Sequence, residues 1–267
     1  MPFKFPSSRL DIYFIFGFPC PTFSPLTFLN INQFDKQMYD SHNFMPWMYI
    51  NILAHVDVQM KVSIDKLINN KLLKSAPKKS YHTYLIINDT LFKSKRSIHD
   101  TESLIPIEPK IADFLSFKNS ILYVGKGTLN RKQQHLILAK KLFCGILPLK
   151  KVSLKLSKIA TLWKQNKGVS LLQLDCDATT YEAFTRENCI IKSLNFNTLT
   201  NQRRGTSYGD AKTWAINKII NYGDMLLYQL FRTYLLKPPN VIYEKDIIIN
   251  AKKSRQPKLC FCCKNIL

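Results

Sequence analysis

One glutamate in this chain stands where a hydrophobic residue is expected. Residues 179–194 carry an apolar stripe in helical steps through Phe184, position 187, Ile191 and Leu194, and position 187 is Glu. A carboxylate on such a face is costly unless a cation meets it, and the pattern leaves a metal ion and a basic side chain equally open. The same helix opens with Thr179 and, three residues on, Glu182. That is the spacing of a capping box, so Glu182 has a structural task that Glu187 lacks. A second helical pattern, residues 129–143, puts Arg131, His135, Leu138 and Leu142 on one face. Polar groups at the N-terminal end of a core stripe point to a site just above a sheet. That end receives a Gly125-Lys126-Gly127 turn from the preceding strand, a favourable place for an anion. Two strand-like runs, 84–87 and 120–124, each bring a tyrosine, Tyr84 and Tyr123.

The charge distribution supports an anionic partner. The 267 residues carry a formal net charge of +21 and a sequence pI near 9.7, which point to nucleic acid or an acidic membrane face. Residues 114–174 hold 12 Lys and Arg and no Asp or Glu. A solvated helix face is ordinarily interleaved with acids for pairing; here none are available, and a phosphate-facing surface accounts better for the run.

The elements that must position these groups form an α/β unit over residues 80–249. Three strands are expected at 84–87, 120–124 and 169–174. Helices are expected at 129–143, 152–165, 179–194, 210–221 and 223–236, with a further helical stretch around 111–117. Trp163, Trp214, Tyr222, Tyr228 and Tyr234 read as packing residues. Residues 1–79 form an irregular Phe- and Pro-rich extension in which Pro19, Pro21 and Pro25 interrupt any helix and no signal-peptide pattern is complete. Mild helical periodicity appears only from residue 60 to 73, before a Pro and Lys linker at 75–80. Residues 250–267 make a basic tail whose Cys260, Cys262 and Cys263 are too closely spaced for a zinc site. With 46% apolar and 21% charged residues the chain is not wholly disordered, and it has no apolar run of spanning length. Its seven cysteines, an odd number set in regular segments, suit reduced thiols in an intracellular compartment, nucleus or cytoplasm.

Tyr123-Val-Gly125 resembles the second half-motif of the GIY-YIG nucleases, and His82-Thr-Tyr84 a divergent first half-motif, with His82 and Thr83 in place of Gly and Ile. Residues 182–192 are similar to the helix bearing that family's metal-binding Glu. Within the family the likeness is to the metazoan ankyrin-repeat and LEM-domain endonucleases. It runs in order through Tyr-Val-Gly-Lys-Gly at 123–127, Arg131, His135, Glu-Ala-Phe-Thr-Arg-Glu at 182–187, Leu-Thr-Asn-Gln-Arg-Arg-Gly at 199–205 and Tyr208-Gly209. It covers about residues 80–235. Residues 1–79 show no ankyrin pattern and no LEM domain, which leaves open a fragment, a mispredicted gene product or a stripped-down relative.

The resemblance implies a small mixed, mainly antiparallel three-stranded sheet flanked by helices. It implies a metal-dependent DNA endonuclease acting on branched or flexible DNA, with Mg or Mn held by Glu187 and no small-molecule cofactor. Arg131 would steady charge on the phosphate, and Tyr84 and Tyr123 would bind or deprotonate the attacking water. Lys126 and His135 would stand beside them, Asn201 would support the site, and Lys132, Arg203 and Arg204 would contact DNA. The alternative is a module of the same fold that binds nucleic acid without cutting it.

Overall fold

The computed structural model describes residues 46–74, 81–93, 111–148, 150, 152–174, 178–194 and 196–249, all within the unit Met45–Leu267. The expectations for residues 1–45, the linker at 75–80 and the cysteine-bearing tail after residue 249 lie outside the described residues. In chain order the elements are α1 (Pro46–Asn69), β1 (His82–Asn88), α2 (Asp89–Lys93), α3 (Ile111–Ser120), β2 (Ile121–Gly127), α4 (Leu129–Phe143) and α5 (Leu154–Lys164). There follow β3 (Val169–Gln173), α6 (Thr180–Ser193), α7 (Ile216–Leu236) and β4 (Val241–Ile242).

The strands lie in the order β2-β1-β3-β4, each neighbouring pair antiparallel. The sheet thus has four strands rather than the expected three. The extra one is only two residues long, too short for a period-two pattern to show in sequence. Central β1 is buried along its whole length, and its alternation sorts side chains to two faces. Tyr84 and Ile86 enter a core with Leu136 and Ala139 of α4 and with Ile159, Leu162 and Trp163 of α5. Thr83 faces the other way, its hydroxyl donating to the Ala183 carbonyl of α6 at 3.3 Å. The α4 stripe is rotated slightly from its expected position: Leu136 and Ala139 are the fully buried pair, with His135, Leu138 and Leu142 at its margin.

Three further differences have local causes. The Gly125-Lys126-Gly127 segment is not a turn; it stays in β2, with Gly125 opposite Tyr84 and Gly127 opposite His82. Residues 216–236 form one helix rather than two, because Gly223 does not break it but lets α6 approach. A Cβ at 223 would sit 2.1 Å from the Cys189 carbonyl oxygen. The helical stretch expected from residue 60 is present but begins earlier, at Pro46, within the extension expected to be irregular, and Met60 and Ile64 of α1 are fully buried. Asp57 of α1 accepts two hydrogen bonds of 2.9 and 2.7 Å from Nη2 of Arg186 in α6, and also accepts from the Tyr222 hydroxyl of α7. No helix among the described residues is long and apolar enough to cross a membrane.

Candidate active site

Strand β2 is an edge of the sheet, and the candidate residues gather on both of its faces. Tyr123 pairs with Ile86 and Gly125 with Tyr84, so they share the face covered by α4; Lys126 pairs with Thr83 and turns toward α6. The outer edge is closed at 122–124 by the segment after α6. Thr200 donates its backbone N–H to the Leu122 carbonyl at 2.8 Å. Asn201 accepts from the Val124 N–H at 3.0 Å and donates to the Val124 carbonyl at 2.8 Å. Asn201 is thus a clip on β2, one strand residue away from Tyr123 and Gly125.

Gly125 makes room for both tyrosines. A Cβ there would lie 2.6 Å from the Tyr123 ring and 2.6 Å from the Tyr84 ring. The Tyr84 side chain is fully buried, its hydroxyl 2.8 Å from Nε2 of His135. Tyr123 is half-buried, with the His135 ring against it edge-on at 5.5 Å between centroids. Burial pushes both phenols above the ordinary tyrosine range, and the nearby Glu187 charge adds to the rise while Arg131 opposes it. Both are therefore neutral hydroxyls at pH 7. Burial, reinforced by Lys155 and Arg131, holds the His135 ring down to about 4, so it too is neutral.

Across the strand, Glu187 is the half-buried carboxylate. Its side chain is 14% exposed, with the Lys126 ammonium 4.0 Å away. Burial raises its pKa, and Lys126, Arg131 and Lys155 each pull it back down. Lys126 lies 3.2 Å from the centre of the Phe184 ring, so Phe184 and Glu187 together form the margin of α6 rather than its core stripe. Arg131 is exposed and lies against Gly127.

The structure thus brings Tyr84, Tyr123, Lys126, Arg131, His135 and Glu187 together. It leaves Lys132, Arg203 and Arg204 outside this group. Lys132 donates to the Gln173 side chain, while Arg203 and Arg204 are exposed on the segment after α6, Arg204 lying 5.6 Å from the Phe196 ring. The basic run is also less bare than its own composition suggests, since Lys118 pairs with Asp224 and Lys140 with Glu244. One member of the cluster was not singled out from sequence. Lys155, at the start of α5, places its ammonium 3.1 Å from Nε2 of His135 and 3.7 Å from the centre of the Tyr123 ring. Nothing in the sequence separates it from the other 11 basic residues of its run.

The donor set fits a hard divalent ion held by one carboxylate, water and substrate oxygens, as Mg²⁺ often is. It does not fit a closed metal cage, because among the described residues no three His, Cys, Asp or Glu side chains converge.

A four-stranded antiparallel sheet whose edge strand carries Tyr-Val-Gly, faced by Arg131 on one helix and Glu187 on another, defines a GIY-YIG domain. The model of the LEM-3-like GIY-YIG domain family matches residues 81–249, and the chain belongs to this nuclease family. Among curated proteins it is similar to ankyrin repeat and LEM domain-containing protein 1 of Mus musculus, 31% identical over 63% of this chain and 30% of that protein. The Homo sapiens protein of the same name is 30% identical over 63% of this chain and 27% of its own length. The Caenorhabditis elegans homolog is 32% identical over 49% and 19% respectively. The chain therefore spans less than a third of the length of these relatives. No solved structure matches it.

Proposed function

We propose that the chain is a metal-dependent endonuclease that hydrolyses phosphodiester bonds in DNA, with branched or flexible DNA as its preferred substrate and Mg²⁺ or Mn²⁺ as its cofactor. The observation that carries this reading is the meeting of one half-buried carboxylate, Glu187, with Arg131, Lys126 and two neutral tyrosines around an edge strand. Hydrolysis of a phosphodiester needs cationic donors for the charge of the pentavalent state, an activated water, and a Lewis acid near the reacting oxygens. Glu187 would hold the divalent ion, which when bound polarises the phosphate oxygens and acidifies water. Arg131, exposed beside β2, would donate to the phosphate. Lys126, drawn toward Glu187, would offset its charge until DNA arrives. The Tyr123 hydroxyl would orient the water, while buried Tyr84 fixes the His135 ring. Lys132, Arg203 and Arg204 would contact DNA further from the reacting bond. Reduced cysteines and a DNA substrate favour an intracellular site of action.

The test is cleavage of supercoiled plasmid and of a four-way DNA junction by the full chain, with and without Mg²⁺ or Mn²⁺, beside Glu187→Gln. Metal-dependent nicking that Glu187→Gln loses supports the reading. DNA binding by both proteins with cleavage by neither refutes it in favour of a non-cutting binding module.

A further inference from the structure

The segment that follows α6 folds back over it. Thr200 and Asn201 hold β2 at Leu122 and Val124, and from there the chain crosses α6. Gly205 lies against Asn188, where a Cβ would stand 2.5 Å from the Asn188 Cα, and the Ser207 hydroxyl accepts from the Asn188 side chain at 2.6 Å. The Tyr208 N–H then donates to the Thr185 hydroxyl at 2.9 Å. These contacts fix Tyr208 beside two aromatic side chains of α6. Its ring centre lies 4.8 Å from that of Tyr181 and 5.5 Å from that of Phe184. All three residues are half-buried, and with interplanar angles of 57° and 63° neither neighbour lies flat on the Tyr208 ring.

One side chain joins these rings to the candidate active site. The Lys126 ammonium sits 3.2 Å from the centre of the Phe184 ring and 4.0 Å from the Glu187 carboxylate. At the other end, exposed Lys212 places its ammonium 5.6 Å from the centre of the Tyr208 ring. Residues 199–212 carry Arg203, Arg204 and Lys212 against one acid, Asp210. Aromatic rings flanked by cations suit a single nucleic-acid strand, whose phosphates meet the cations and whose free bases meet the rings.

We propose that Phe184, Tyr208 and Tyr181 form a stacking ledge for an unpaired nucleobase of the DNA, next to the phosphate that Glu187 and Arg131 serve. The inference rests on the nuclease reading above and deepens it, because it names the feature by which the site distinguishes flexible DNA from duplex. Tyr208, anchored through Thr185, takes the base. Tyr181 backs it, its own hydroxyl donating to the Lys74 carbonyl at 3.0 Å. Lys126 and Lys212 meet phosphates on either side of the stacked nucleotide. A base inside a paired duplex has both faces covered by its neighbours, so fully paired DNA gains the lysine contacts alone.

The test is binding by the full chain, followed by fluorescence anisotropy in EDTA with three labelled DNAs of one sequence. These are a paired duplex, the same duplex with one extra unpaired adenine, and that DNA with an abasic site in place of the adenine. Wild-type protein should bind the unpaired-adenine DNA about 10-fold more tightly than the abasic DNA. Tyr208→Leu should bind both as the wild type binds the abasic DNA and should leave affinity for the paired duplex unchanged; Tyr208→Phe should behave as wild type. Equal wild-type affinity for the adenine and abasic DNAs overturns the proposal without recourse to any variant. So does an equal loss by Tyr208→Leu on all three DNAs, which would make the ring a packing residue. Failure of the nuclease reading is separately visible. A chain that prefers the adenine DNA in EDTA but cuts nothing with Mg²⁺ or Mn²⁺ keeps the ledge and loses the nuclease, whereas one that cuts yet ignores the missing base loses only the ledge.

Discussion

Substituting Gly125 by alanine should dismantle the tyrosine pair without touching any charged group. The added Cβ would stand 2.6 Å from Cε1 of Tyr123, 2.6 Å from Cζ of Tyr84 and 2.7 Å from the Tyr84 oxygen. Ordinary contact begins at 3.4 Å, so the rings must retreat by about 0.8 Å. Tyr123 is half-exposed and can swing away. Tyr84 cannot, because it is sealed among Leu136, Ile159 and Trp163 and its hydroxyl is held at 2.8 Å by His135. Overpacking of this kind costs about 1–3 kcal/mol, and a strained Tyr84–His135 bond adds about 1 kcal/mol. For a domain of this size that is a fall in Tm on the order of 5–10 °C. A displacement near 1 Å in a catalytic group costs roughly 100-fold in rate. Gly125→Ala should therefore melt earlier by calorimetry and cut plasmid about 100-fold more slowly at a temperature where it remains folded, while its affinity for DNA changes little. Wild-type melting and wild-type cleavage together would refute the steric argument.

Other groups give distinct readouts. Asp57→Ala leaves the Arg186 guanidinium and the Tyr222 hydroxyl without their shared acceptor and should cost about 2–3 kcal/mol in urea unfolding; an unchanged midpoint would make α1 a bystander to the fold. Asn201→Ala removes both bonds to Val124, so the Val124 amide should exchange with solvent faster than in Asn201→Asp, which keeps the acceptor. Equal exchange in the two variants would show the side-chain oxygen to be idle. His135, held at about 4 in the folded protein against about 6.5 unfolded, stays neutral while the unfolded chain protonates. Its share of stability is complete above pH 6.5 and is lost as the pH falls from there to 4. The wild type should accordingly lose more stability across that interval than His135→Gln, by up to one proton's worth; parallel stability curves would mean that the ring is not depressed.

What the sequence makes legible, and what it hides, follows from how local each signal is. Glu187 is visible because it breaks a helical period over residues that are neighbours in the chain. Structure moves it from the core stripe to the margin, since α6 crosses near an edge strand and turns Ala183, Cys189, Ile190 and Ile191, with the polar Glu182, Thr185 and Asn188, inward instead. The three longer strands are visible because four or more residues are needed to show alternation, and β4 escapes for the same reason. Gly223 looks like a helix breaker until its partner is known, because the benefit of a missing Cβ lies on α6, not in its own helix. Asp57 has no local peculiarity either; its meaning comes from Arg186, 129 positions away. Lys155 is the hardest case. Its sequence surroundings are those of a solvated helix, with basic residues at 150, 151 and 158 and no acid nearby. Only the packing of α5 beside α4, which brings its amine to the far nitrogen of His135 and over Tyr123, removes it from water and sets it apart. A half-buried amine made from a surface-like lysine is thus a tertiary property. Residue type and spacing locate the strand and the carboxylate of this site, whereas proton affinity is fixed by what the helices bring against them.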